Sequence, residues 1–358
     1  MNTRIAVCGH NAEARINLIR SVTPRGTIPE TPPTGNVVYE TENIDYLDCA
    51  VPVQEIGQRF EINFDSSAPD RADAVWYCLD GNSGLDELQQ AAGLTGRVLF
   101  VVTDGDELDG EKLEKRISML EQTGFDREKI IIVSLRERTG LVLLIEQTIR
   151  PLGGTLEEKD PELEALRRKT SEEANSFIYW ASGRAFAIAL VPLPMADVLP
   201  LVANEAYMFY KLGALYGYAV NKTILAGFLG CLGASVGGKI AVSFVPFLKA
   251  PIAAGITYGV GYAAKAYFES GMKLDQEMLR DIFLKSKKKG EEDKVAQGIM
   301  RLAEEDPTIR FETNQETHEM VLSGLGEQHL DVVVSKLKAK FGVEVTLKKP
   351  KVPYRETI

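Results

Sequence analysis

Over the first 150 residues, short apolar runs alternate with charged stretches of helical period, and no other feature constrains the fold more. The runs are RIAVCG at 4–9, RFEINFD at 59–65, ADAVWYCLD at 72–80, GRVLFVVTD at 96–104 and KIIIVSL at 129–135. Between them, 110–123 and 140–150 place apolar side chains at helical spacing. Strands that alternate with helices predict βαβ units and a mostly parallel sheet covered on both faces. Residues 23–36, rich in Pro, Thr and Gly, read as a surface loop.

The pattern then changes twice. Residues 151–175 are polar and acidic and read as a linker running into a helix. From 176 to 274 the chain is rich in Ala, Gly and aromatics, with helical runs expected near 177–191, 196–219, 223–242 and 246–268. A charged stretch at 275–290 reads as a second linker, and 291–358 returns to a helix, strand, strand, helix, strand order. The length of 358 residues suits two or three domains. A net charge of −10 disfavours a broad grip on nucleic acid, so DNA is not an expected partner. The four cysteines form no CxxC pair and there are only three histidines, which supports neither a metal cluster nor a disulfide framework. No basic-then-apolar leader opens the chain, and the expected location is the cytoplasm.

A strand that ends in glycine and opens into a helix is where a phosphate-binding loop of the form GxxxxGK[ST] belongs. Here the eight residues are GHNAEARI, Gly9 to Ile16. Gly9 is in place, but Ala14 stands at the second glycine, Arg15 at the lysine and Ile16 at the metal-binding hydroxyl. This layout resembles the Era-like, translation-factor-related branch of GTPases over about 1–150. The resemblance implies a P-loop-GTPase-like fold and further motifs, all eroded. A DxxG element falls at Asp65–Ala68, with Ala68 in place of glycine. An NKxD element falls at Thr103–Asp106, with Asp104 in place of lysine, and a SAK-like element at Ser134–Arg136. The positions implied to face GTP or GDP are Gly9, Arg15, Asp65, Asp106 and Ser134. Phosphoryl transfer rests on positioning and charge neutralisation, so losing the magnesium ligand argues against hydrolysis. No catalytic residue and no metal ligand is assigned.

In the middle segment, 223–238 and 250–264 are uncharged runs of sixteen and fifteen residues, short of the roughly 18–20 that a membrane span needs. Gly213/Gly217, Gly233/Gly237 and Gly255/Gly259 repeat the spacing that lets helix backbones approach closely. The string from Ala187 to Tyr218, with VPLPMAD at 191–197, resembles the helical domain of unknown function appended to some bacterial Era-like GTPases (the YcjF type). Asp197 matches an acidic position of that family and reads as a helix N-cap. An all-α domain is expected, with a protein partner or self-association through 176–268. Peripheral contact with the inner face of the membrane stays open.

The last segment carries AEEDPT at 303–308 and SGLGEQHLD at 323–331. With KVAQGIMRLAEEDPTIRFET at 294–313, these strings closely resemble domain III of bacterial elongation factor G. The resemblance implies a small α+β, ferredoxin-like (split βαβ) domain: helix 293–305, strands 308–313 and 319–323, helix 327–341, strand 343–348. Val295, Ile299, Leu302 and Ala303 form one apolar helix stripe, and Leu330, Val333, Val334 and Leu337 another. Glu327 and His329 read as helix-start packing and capping. The resemblance also implies contact with the small ribosomal subunit, to which Lys336, Lys338, Lys340, Lys348, Lys349 and Lys351 lend a basic surface. The expected function is a non-catalytic pseudo-GTPase scaffold. Two alternatives stay open: a GTP-binding switch that uses Arg15, and a ribosome-associated factor.

Overall fold

The computed structural model describes residues 3–23, 28, 36–41, 44–50, 72–94, 96–105, 110–152, 161–190, 198–232, 249–314, 320–341 and 345–350. The chain divides into two compact units: Met1–Asn175 with Phe209–Ala226, and Ser176–Met208 with Gly227–Ile358.

The first unit is built on a six-stranded sheet. Its strands are β1 (Thr3–Cys8), β2 (Val37–Tyr39), β3 (Ile44–Asp48), β4 (Ala74–Leu79), β5 (Val98–Val102) and β6 (Ile130–Ile132). They lie in the order β2-β3-β1-β4-β5-β6. All neighbouring pairs are parallel except β2 and β3. Successive side chains point to opposite faces, so each strand feeds two cores. On one face Ala6, Tyr77, Leu79, Phe100 and Val102 pack with Leu88, Leu113 and Ile117, which come from helices α2 (Leu85–Ala92) and α3 (Gly110–Thr123). On the other, Ile5, Val7, Trp76, Cys78 and Val101 pack with Leu18, Ile19, Leu141 and Leu144, from α1 (Ala12–Val22) and α4 (Leu141–Ile149). Burial on both faces explains why these strands appear in the sequence as unbroken apolar runs. The run expected at 59–65 lies outside the described residues, whereas β2 and β3 were not foreseen.

Helices α5 (Pro161–Ala189), α6 (Val198–Leu215), α7 (Lys222–Leu232) and α8 (Lys249–Glu269) follow. Each coincides in part with an expected helical run. The tip joining α6 and α7 belongs to the first unit. Among the described residues no helix is long and apolar enough to cross a membrane.

The 275–290 stretch is not a linker. It is the first half of a single helix, α9 (Gln276–Glu305), capped by Asp275, whose side chain accepts from the Met278 N–H at 2.8 Å. The charges that suggested a linker sit four residues apart, as in Asp281–Lys285 and Lys288–Glu292, a spacing that supports a helix. Leu279 and Phe283 are buried. Gly259 and Gly290 lie at the close approach of α8 and α9: an added Cβ would meet the Phe283 carbonyl at 2.8 Å and Tyr258 Cβ at 2.7 Å, respectively.

Beyond α9, β7 (Arg310–Thr313) and β8 (Met320–Ser323) pair antiparallel, and α10 (Glu327–Phe341) follows. Ile299, Leu302, Ile309, Val333 and Leu337 form the core, flanked by Val295, Phe311, Leu322 and Val345. These are largely the residues of the two expected helix stripes. Residues 345–348 of the expected last strand take up no regular structure, and 343–344 lie outside the described residues.

Candidate functional site

In an open, mostly parallel sheet, ligands bind beyond the carboxyl ends of the strands, where the strand order reverses. Here that point lies between β1 and β4. β1 ends at Cys8, and Gly9 turns the chain with φ +131°. A Cβ at this position would lie 2.8 Å from the Cys78 carbonyl, so only glycine fits. Asn11 caps α1, its side-chain oxygen accepting from the N–H groups of Glu13 (3.0 Å) and Ala14 (3.2 Å).

Arg15 points inward. Its Nε donates to Asp48 Oδ1 at 2.6 Å and its Nη1 to the Gly9 carbonyl at 2.5 Å. The two charged side chains are only 4% and 3% exposed. β3 sets this pairing by bringing Asp48 beside Val7 of β1. The guanidinium therefore spans the carbonyl of the glycine turn and the carboxylate at the end of the neighbouring strand. Ile16, the next residue, is buried in the apolar interior.

A second group of side chains lines the mouth. His10 Nδ1 lies 3.0 Å from Glu87 Oε2, and the Tyr77 hydroxyl donates to Glu87 Oε1 at 2.6 Å. Burial, reinforced by that bond, pushes the Tyr77 phenol upward. Asn11 Nδ2 donates to Asp80 Oδ2 at 2.6 Å, while Asp80 Oδ1 accepts the Asn82 N–H at 2.9 Å. Three buried cysteines, Cys8, Cys49 and Cys78, lie at or next to the ends of β1, β3 and β4. Cys8 is pushed up by its hydrogen bond with Cys49 and then by burial, and burial raises Cys78 to about 12. Such thiols stay protonated and unreactive at neutral pH.

Of the sequence-predicted positions, Gly9 and Arg15 meet directly. Ser134 lies beyond β6, in a turn where its N–H and carbonyl pair with Thr139 and its Oγ accepts the Glu137 N–H at 3.0 Å. That turn bridges to Asp104 after β5. Asp65 and Asp106 lie outside the described residues, as does Asp197. Asp48 was missed. Its signal is the alternation IDYLD at 44–48, in which an acid follows two apolar positions at a strand end. Among the described residues there is no group of three or more His, Cys, Asp or Glu side chains arranged to hold a metal.

In the second unit, His329 Nδ1 accepts the Leu325 N–H at 3.1 Å, which leaves its Nε2–H to donate to Asp306 Oδ2 at 3.2 Å. Asp306 also accepts from the Thr308 hydroxyl (2.5 Å) and N–H (3.0 Å). The bonds from Thr308, ahead of His329, hold this carboxyl down at about 2. His329 thus ties the start of α10 to the end of α9, the packing and capping role its position suggested.

The family model for elongation factor G, domain III, matches residues 279–349. The match takes in most of α9, then β7, β8 and α10. The chain is therefore a mostly parallel α/β sheet unit and a helical region that carry a translation-factor-like module.

Proposed function

We propose that the chain is a non-catalytic pseudo-GTPase scaffold. Its sheet unit keeps the strand order and glycine turn of a nucleotide-binding fold, and its own arginine takes the place of the phosphate-gripping cation. The buried Arg15–Asp48 pair carries this reading. A lysine that holds β- and γ-phosphates must present its charge to the ligand, whereas the Arg15 guanidinium is turned under the loop and neutralised. Ile16, with no oxygen to offer Mg²⁺, supports the same conclusion. Calorimetric titration with GTP, GDP and ATP in the presence of Mg²⁺ tests it: no saturable heat is expected. Should binding occur and be lost in Arg15→Ala, the chain is instead the GTP-binding switch.

A second reading concerns the module. Its match to domain III of elongation factor G and the exposed Lys336, Lys348 and Lys349 favour docking on the small ribosomal subunit. Co-sedimentation with small subunits at moderate salt is the test. Protein that stays in the supernatant at every salt concentration removes this reading. The exposed Tyr179, Trp180 and Leu199 of the helical region offer a surface for a protein partner.

A further inference from the structure

Beyond β6, the edge of the sheet is occupied by the tip between α6 and α7. The Ile132 N–H donates to the Gly217 carbonyl at 2.9 Å, the Gly140 N–H donates to the Leu215 carbonyl at 3.1 Å, and Ile131 and Tyr218 form an antiparallel bridge. The tip feeds both faces of the sheet: Ala214 and Ala219 join the core under α2 and α3, while Tyr218 packs against the opposite one. Lys222 adds an ion pair with Glu114 of α3 at 3.1 Å.

The join needs two glycines in contact. Gly140 (φ +77°) and Gly217 (φ +90°) are both left-handed, a Cβ on Gly217 would lie 3.1 Å from Gly140 Cα, and one on Gly140 would lie 2.0 Å from the Ile132 carbonyl. Gly140 is also the last residue of the turn that closes on Ser134 and Thr139, and it caps α4. Within this turn Arg138 adopts φ +56° and its Nη2 donates to the Ser21 carbonyl, at the end of α1, at 2.8 Å. Backbone hydrogen bonds therefore link the tip to the turn, and the Arg138 side chain links the turn to the end of α1.

We infer that residues 213–220 are a latch on the carboxyl-end turn 134–140, and that the two open and close as one unit. The chain enters and leaves this tip through α6 and α7, whose far ends belong to the second unit. A force or partner acting on those helices then changes the turn after β6, whether or not the sheet binds nucleotide.

Native-state hydrogen exchange of the full chain under mild denaturant is the test. The amides of Ile132 and Gly140, bonded to the tip, and of Ser134 and Thr139, bonded across the turn, should show protection factors that agree within about threefold and share one denaturant dependence. Gly217→Val should accelerate all four by about tenfold or more while leaving β1 and β4 protected. Gly227→Ala, where an added Cβ meets nothing within 4 Å, should leave them unchanged. If Gly217→Val does not fold, the wild-type rates decide alone. Ile132 and Gly140 opening about tenfold or more faster than Ser134 and Thr139 would overturn the latch, as would a Gly217→Val protein that frees Ile132 but leaves the turn closed.

Discussion

Two pairs built on a carboxylate, one in each unit, show how differently the same acceptor is used. Arg15–Asp48 is closed off from water, with both side chains nearly inaccessible, and a second guanidinium nitrogen, Nη1, donates to the Gly9 carbonyl. Asp306–His329 sits at the surface, 29% and 19% exposed, and trims the ends of two helices. A buried pair is costly to desolvate and more costly to break, because removing one partner strands the other charge. A surface pair contributes little and is replaced by water. The first pair therefore fixes the geometry at the ligand end of the sheet, and the second adjusts the small module.

The strongest way to break this contrast is Arg15→Ala, which should destabilise the sheet unit by about 3–5 kcal/mol in denaturant unfolding. Replacing both partners, Arg15→Met with Asp48→Leu, should recover most of that loss. A loss below about 1 kcal/mol for the single variant would mean that water already reaches the pair.

A neutral buried contact in the same unit sharpens the comparison. Trp76 Nε1 donates to Thr148 Oγ1 at 2.8 Å, and both residues are buried. Thr148→Val keeps the shape but orphans the indole N–H, so an intermediate loss of about 1–3 kcal/mol is expected by the same assay.

The smallest effect belongs to the exposed pair and is lost in acid. The Asp306 carboxyl is lowered from 3.8 to about 2 in the folded chain. Its contribution is thus fully present above pH 4 and is lost as the pH falls from about 4 through 2. Asp306→Asn should remove that pH dependence from the unfolding of the module, leaving it slightly less stable than wild type at pH 7 and equally stable below about pH 2. Equal acid sensitivity in wild type and variant would assign the effect to another carboxylate.

What the sequence disclosed follows the same division between buried and exposed. β1, β4, β5 and β6 were legible because a strand buried on both faces shows no polar interruption. β3 carries Asp45 and Asp48, so it does not resemble a core strand, and β2 pairs only with β3. The Arg15–Asp48 pair was illegible for a related reason: its partners are 33 residues apart, and an arginine at a lysine position suggests a ligand contact until its burial is seen. The reading of 275–290 went wrong because a charge run with a glycine looks like a linker, whereas Gly290 marks a close helix contact. The end of the chain was the clearest, since its helix stripes map onto one core and its strings match a family model.

The most direct measurement is titration of the full chain with Mg·GTP by calorimetry, with the solvent accessibility of Arg15 followed in parallel by arginine-selective labelling. A buried, neutralised guanidinium predicts no saturable binding at nucleotide concentrations up to about 1 mM, equivalent to less than about 4 kcal/mol of affinity, and no labelling of Arg15 in the folded state. One-to-one binding in the micromolar range, with Arg15 labelled in the free protein and protected by nucleotide, would contradict it.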